Sequence, residues 1–325
     1  MAPAVTVCVT CYNQEALIGQ CLDGILAQDL EDLEILVGDD FSTDRSIEII
    51  QDYASRDARI LLIRRPNNLG FIANEEDLFR RARGNFVAIC EGDDIWTDPH
   101  KLSRQLAIMS ARPDVSLCIS AGTKIDDDGN TLPGVLCISN VSRELSLPEL
   151  IGEIGGRVPT ASLLMRRTAL EALPDDIYRH VGIDYSLQVL LGMYGKVWYD
   201  ACPSVAYRVS SRGSWTEELA ESSSKYLQHH EALRSYQDFL QRQLSPTLER
   251  ELRKAFEPLI LGFYMSSRIS PADKRRNLPD DVPRLKRPAQ IVATLLTRAP
   301  FLVSAGAFAR RRAWQPVRQL LSSRW

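Results

Sequence analysis

Short apolar runs alternate with amphipathic stretches through the first 120 residues. Residues 5–10 form a β-branched run that reads as a buried strand. Leu17, Ile18, Cys21, Leu22, Ile25 and Leu26 follow at helical spacing. Residues 34–37 predict a second strand, running into Gly38-Asp39-Asp40. Ile47, Ile50 and Tyr53 mark another amphipathic helix, and residues 59–63 a third strand. The spacing predicts a helix over 71–83, stopped by Gly84. Residues 85–90 form a fourth strand ending in Glu91-Gly92-Asp93-Asp94. Asp98 then looks like an N-cap, with Pro99 at the first helical position, for a helix to about Ala111. A fifth strand covers 115–120. Strands alternating with helices predict an α/β fold, a mostly parallel twisted sheet flanked by helices.

The pattern loosens after residue 120. Asp126-Asp127-Asp128-Gly129-Asn130 reads as a solvated hairpin tip. Residues 160–165 suggest a strand, 183–194 a helix, and 196–199 and 205–209 two more strands. Beyond Thr216 the chain turns helical, with Leu219, Tyr226, Leu233 and Leu240 recurring every seven residues on one packed face. Pro246, Pro258, Pro271, Pro279, Pro283 and Pro288 are expected to break up the rest of this region. A helical C-terminal extension is the reading of this part.

Composition narrows the class. With 45% hydrophobic and 25% charged residues, the 325-residue chain is neither disordered nor fibrous. No apolar run approaches ~18–20 residues, so an ordinary spanning helix is not expected. Neither a basic n-region nor an apolar h-region opens the chain, and the seven cysteines are scattered; both suit a cytoplasmic location with reduced thiols. Cys8 and Cys11 form a lone C-x-x-C without the second pair that zinc sites usually need. The net charge of −3 hides an asymmetry: residues 282–325 carry nine Lys/Arg and no Asp/Glu. An acidic body with a basic tail is not a nucleic-acid footprint. There is no P-loop, no G-x-G-x-x-G after the first strand and no G-x-S-x-G elbow.

Ligands of parallel sheets bind outside the carboxyl ends of the strands. Three polar clusters fall at such ends: Thr10-Cys11-Tyr12-Asn13, Asp39-Asp40 and Asp93-Asp94. Unpaired acids at a buried rim raise each other's pKa, and a divalent cation relieves that penalty. Mg2+ and Mn2+ prefer oxygen ligands, often one or two carboxylates plus substrate phosphates. The Asp93-Asp94 pair thus reads as a metal–diphosphate site or, more plainly, as loop or N-cap acids. Arg208, Arg212 and Trp215 lie in a stretch rich in serine and glycine that reads either as a loop closing over a diphosphate or as an ordinary surface loop.

Three motifs carry a family resemblance: Thr6-Val7-Cys8-Val9-Thr10-Cys11-Tyr12-Asn13, Val37-Gly38-Asp39-Asp40-Phe41-Ser42-Thr43-Asp44 and Ile89-Cys90-Glu91-Gly92-Asp93-Asp94-Ile95-Trp96. In order and spacing they resemble the successive motifs of family 2 glycosyltransferases, over roughly residues 4 to 210. The resemblance implies the GT-A fold. Residues 1–120 would form its nucleotide-sugar-binding half and 121–216 its acceptor-binding half, with 217–325 as helical extension and basic amphipathic tail. It also implies roles. Thr10, Tyr12 and Asn13 would line the nucleoside pocket, with Tyr12 on the base, and Asp40 would hydrogen-bond the base, with UDP- or dTDP-sugars favoured. Asp93 would face the ribose or sugar and Asp94 the cation, Mn2+ or Mg2+. Asp184 matches the catalytic base, and its plain alternative is a helix N-cap.

This chain departs from the family pattern in three places. Thr10-Cys11 stands where many members have a proline before Tyr-Asn. Ala73 stands beside Asn74 where many have arginine, which makes Arg208 and Arg212 the candidates for diphosphate contact. Ile183 stands where many have glutamate. The Q-x-x-R-W motif of processive synthases is absent.

The expected function is an inverting, metal-dependent, non-processive transfer from a nucleotide-diphosphate sugar to an envelope glycan or lipid-linked acceptor. The alternatives are an inactive nucleotide-sugar or glycan-binding module, or a nucleotidyltransferase. Residues 289–309 are mostly apolar between basic clusters, with Arg298 and Pro300 near the middle. They suit either peripheral contact with an anionic membrane at its cytoplasmic face or a helix closing the C-terminal subdomain.

Overall fold

The computed structural model describes residues 2–152, 157–180, 183–209, 222–266 and 269–298. β1 (Val5–Cys11) is buried along its whole length, as its β-branched run requires. It pairs in parallel with β2 (Leu33–Asp39) on one side and β4 (Phe86–Glu91) on the other. β3 (Ile60–Arg64) pairs in parallel with β2 and ends the sheet on that side. The intervening helices are α1 (Ile18–Leu26), α2 (Ser46–Arg56) and α3 (Phe71–Arg81). Ile18, Cys21, Leu22 and Ile25 of α1 are buried in the core against Val5, Val7 and Val9. α3 stops before Gly84, whose backbone N–H donates to Thr6 Oγ1 at 2.8 Å. A Cβ there would come within 2.4 Å of Thr6 N. Close approach to β1, rather than helix termination, is what this glycine serves.

β5 (Ile95–Trp96) and α4 (Lys101–Ala111) follow. Asp98 precedes α4 by two residues more than an N-cap would; its carboxylate instead accepts the His100 N–H and pairs with Arg104. The sheet then departs from a purely parallel plan. β6 (Val115–Ile125) joins β4 only through β9 (Leu164–Arg166), which is antiparallel to both. β7 (Thr131–Leu136) and β8 (Arg143–Leu145) add antiparallel edges to β6 and β10. β10 (Lys196–Arg208) runs parallel to β6 as one strand with a register shift between Asp200 and Val205, where sequence predicts two strands. The order is β3-β2-β1-β4-β9-β6-β10-β5. α5 (Leu147–Gly152), α6 (Arg167–Leu170) and α7 (Ile183–Tyr194) complete this part. Residues 160–162 form a 3-10 turn rather than the start of a strand.

The chain divides into two compact units, Met1–Glu217 and Glu218–Trp325. The second contains α8 (Ser223–Gln243), α9 (Glu249–Met265), α10 (Pro271–Asp281) and α11 (Arg287–Arg298). Leu233 and Leu240 of the seven-residue repeat are buried; Leu219 lies outside the described residues. The prolines break less than expected. Pro271 opens α10, but Pro258 and Pro279 lie within helices. Each costs a helical hydrogen bond, and around Pro258 the buried Phe256, Ile260, Phe263 and Tyr264 supply the packing that offsets it. Over its described part, the apolar segment near the C-terminus packs inside this unit, with Ala289, Ala293 and Leu296 buried. Residues 299–325, with the rest of the basic tail, lie outside the described residues. No described helix is long and apolar enough to cross a membrane.

Candidate functional site

Parallel register brings the three polar clusters to one edge. Thr10 lies opposite Gly38 on one side and Glu91 on the other, and Cys11 opposite Asp39. The Gly92 N–H donates to the Thr10 carbonyl at 2.9 Å. A Cβ on Gly92 would meet Gln14 Oε1 at 2.2 Å and the Thr10 carbonyl at 3.0 Å, so a side chain in the turn that presents Asp93 and Asp94 would have to displace Gln14 and crowd β1. The Cys8 and Cys11 thiols are buried inside β1, and burial pushes the Cys11 thiol up to about 12.

Side-chain hydrogen bonds lock the loops at this rim. Asn13, at φ 51°, accepts from Thr43 N at 2.8 Å and donates its own N–H to Ser42 Oγ. Gln14 N–H donates to Ser46 Oγ, and Glu15 N–H to Asp44. The Asp40 carboxylate accepts Leu69 N–H at 2.7 Å and Gly70 N–H at 2.9 Å, tying a third loop to the rim. These loops leave Tyr12, Phe41, Leu69 and Phe71 exposed.

The acids beneath the rim interact. Asp94 is buried, and its Oδ1 accepts the Arg208 backbone N–H at 3.0 Å. Burial, then the Glu91 and Asp93 charges, raise its carboxyl well above the usual range. Burial, then Asp93 and further off Asp184, push Glu91 up to about 8. Asp184, in the first turn of α7, is raised by burial and lowered in part by helix N–H groups. Glu75 on α3, 1% exposed, has no partner for either carboxylate oxygen among the described residues and is raised by burial, Glu91 and Asp184. The structure thus brings Asp93, Asp94 and Asp184 within one electrostatic field and adds Glu75 and Glu91. Glu91 stands inside the third family motif; a single acid in a polar helix left no pattern that could mark Glu75.

Metal-free protein should therefore lose stability as pH rises. Folded Glu91 holds its proton more tightly than the unfolded chain, whose Glu titrates near about 4.3. The resulting stabilisation is full below that value and is lost as pH passes about 8. In EDTA, the Tm should fall between pH about 5 and about 8 and level off above that. Glu91→Gln should flatten that fall, and an unchanged slope would refute the assignment.

Arg208 is placed differently from its expected role. Its guanidinium is 2% exposed and donates to protein acceptors throughout. Nε bonds the Asp93 carbonyl at 2.9 Å, Nη1 the Asp126 and Asp127 carbonyls at 2.6 and 2.9 Å, and Nη2 Gln20 Oε1 at 3.0 Å. It clamps the acid turn to the β6–β7 hairpin tip and to α1, so that tip is more than a solvated turn. Arg208→Ala would leave three partly buried carbonyls without their donor, so a loss of about 1–3 kcal/mol in all is expected. Lysine, a point charge without the fork, should not restore it. Chemical denaturation reads both. Arg212 and Trp215 lie outside the described residues. Beside Ala73, the cation that sequence reasoning missed is Arg65. It is 8% exposed and bonds Asn74 Oδ1 at 2.9 Å and Asp77 at 2.6 Å; the signal was its place directly after β3.

The Glycosyl transferase family 2 model matches residues 6–173, more than half of the chain, and the chain belongs to that family. An uncharacterized protein of Mycobacterium tuberculosis is 35% identical over 210 residues, 63% of this chain and 58% of its own length. The chain thus spans little more than half of that relative. The uncharacterized glycosyltransferase EpsJ of Bacillus subtilis is 42% identical over 94 residues, 29% of this chain and 27% of its own. The fold matches that of S. aureus TarS 1–349 in complex with UDP-GlcNAc. The TM-score is 0.71 at 17% identity, covering 91% of this chain and 87% of that one. A mannosyltransferase of Pyrobaculum calidifontis, in complex with GDP-Man and Mn2+, matches with TM-score 0.55 at 18% identity, over 99% and 85% of the chains. These likenesses identify the GT-A type of fold.

Proposed function

We propose that the rim site transfers a sugar from a nucleotide-diphosphate donor to a hydroxyl of an envelope glycan or lipid-linked acceptor, with inversion and one sugar per binding event. The observation that supports this is the grouping of Asp93, Asp94 and Asp184 around Glu91, the last residue of β4. Tyr12, exposed at the rim, packs on the base. Thr10 lines the pocket, and Asn13 fixes the loop that presents Tyr12. Asp40 holds the Leu69–Gly70 wall and keeps acceptor capacity for the base. Asp93 faces the ribose or sugar.

In the reaction the acceptor oxygen bonds the anomeric carbon as the bond to the diphosphate breaks, and Asp184 takes the acceptor proton. Among the described residues no three acid, histidine or cysteine side chains are arranged to hold a metal ion. What supports a cation here is oxygen chemistry: the raised carboxyls of Asp94 and Glu91 and the buried Glu91 Oε2, which has no partner among the described residues. Asp94 would hold Mn2+ or Mg2+, which would supply neutralisation of the departing diphosphate. Arg208 is assigned to holding the acid turn, which leaves Arg212 for direct contact with the diphosphate. The names of the fold relatives support a nucleotide-sugar donor, since the TarS structure holds UDP-GlcNAc and the mannosyltransferase GDP-Man. The basic tail would keep the protein at the cytoplasmic face of an anionic membrane, near a lipid-linked acceptor.

Incubation with UDP-, dTDP- and GDP-sugars, each with and without Mn2+, tests this reading by release of the nucleoside diphosphate. One donor class turned over only with metal supports it. No release from any donor over several acceptors would contradict it.

A further inference from the structure

The C-terminal unit contains a polar cleft of about 710 Å³, a size suited to a small ligand. One face of α8 supplies Arg234, Asp238 and Arg242 at four-residue spacing. The start of α9 adds Glu249 and Arg253, and the segment after α10 adds Arg284. Four guanidiniums thus face the space against three carboxylates, Asp238, Glu249 and Asp280. None of the lining residues is aromatic, so a bare sugar would find no ring to stack on.

The ion pairs here are of two kinds. Arg284 grips Asp238 in a bidentate pair at 2.6 and 2.9 Å and forms the floor; its buried Nε has no partner among the described residues. The others differ. Arg234 stands 3.4 Å from the largely exposed Asp280 and 3.7 Å from the buried Asp281, and Arg253 meets Glu249 at 2.8 Å across one helical turn and donates to the Pro283 carbonyl at 2.9 Å. The solvent-exposed pairs to Asp280 and Glu249 contribute little. Arg242 makes no side-chain hydrogen bond or ion pair with any described residue. Arginine forks match phosphate oxygens two at a time, and that match is stronger than an exposed carboxylate pair.

We propose that this cleft binds a phosphate group, a phosphomonoester or diphosphate, through Arg242, Arg234 and Arg253 above the Arg284–Asp238 floor. The phosphate could be the headgroup of a lipid or part of a soluble molecule. The site is separate in composition from the acid rim and needs no divalent cation, because its charge comes from guanidiniums.

The test is calorimetric titration of the full chain with inorganic pyrophosphate in EDTA, which removes the cation on which the rim site's hold on a diphosphate is proposed to depend. Wild type should bind saturably. Arg242→Glu and Arg253→Gln should each weaken binding about tenfold or more. Asp94→Asn should bind as wild type does. Arg242 is exposed and has no ion pair among the described residues, so its variant should melt like wild type, which keeps the result readable. A parallel arm pellets wild type and Arg242→Glu with phosphatidylcholine vesicles, with and without phosphatidic acid. Weaker pelleting of the variant on phosphatidic acid assigns the phosphate to a lipid headgroup. Equal pelleting with weakened pyrophosphate binding assigns it to a soluble molecule. No saturable binding of pyrophosphate by wild type, or equal binding by the arginine variants, overturns the proposal.

Discussion

Asp184→Asn should lower kcat by about 10²- to 10⁴-fold, the usual contribution of a general base, while leaving nucleotide affinity near wild type. Asparagine is the informative replacement. It caps a helix N-terminus as well as aspartate does. If Asp184 in the first turn of α7 only capped the helix, the variant would keep both stability and rate. If it accepts the acceptor's proton, the rate falls and the melt does not. Steady-state kinetics and a melting curve on the same preparation separate the two. A variant with wild-type kcat would remove Asp184 from the mechanism.

Asp94→Asn should be the second severe loss, and it should carry an opposite sign in stability. Its amide oxygen can still accept the Arg208 N–H, so the acid turn should keep its place. The substitution removes a buried acid whose ionisation is opposed by burial first and then by Glu91 and Asp93. Metal-free Asp94→Asn should therefore melt at or above the wild-type temperature. Turnover should nevertheless fall about a thousandfold, if cation binding supplies about 4 kcal/mol of transition-state stabilisation. Greater stability with lost activity marks an acid retained for its chemistry. A variant that melts low and stays active would mark a structural acid instead.

The parts of the fold visible in sequence are those governed by local periodicity and parallel register. β1, β2 and β4 carry their burial in β-branched runs, and polar residues at their ends must share an edge once the strands are parallel. The antiparallel insertion of β9 between β4 and β6 was not visible, because three residues carry no period. The register shift in β10 likewise made one strand read as two. Asp94 stood out in sequence as one of two acids at a strand end and Asp184 only through the family resemblance, and residue type does not tell where a long side chain sends its donors. Arg208 was expected at the diphosphate and is found holding three backbone carbonyls. Asn13 and Asp40 look like ligand contacts in sequence, yet each also fastens a neighbouring loop. Glu75 escaped notice because its burial depends on the packing of α3 against β1, a long-range fact.

The proposed rim site binds a nucleoside diphosphate through a cation held by Asp94. It is tested most directly by thermal stability of wild type and Asp94→Asn with UDP, dTDP, GDP and CMP, each with and without Mn2+. A ligand at 100 times its Kd stabilises the folded state by about 2.7 kcal/mol. For a chain of this size that is a shift of several degrees. The account predicts that one diphosphate raises the wild-type midpoint only when metal is present, and that Asp94→Asn shows no such rise. A wild-type midpoint unmoved by every nucleotide, or an equal rise in the variant, would contradict it.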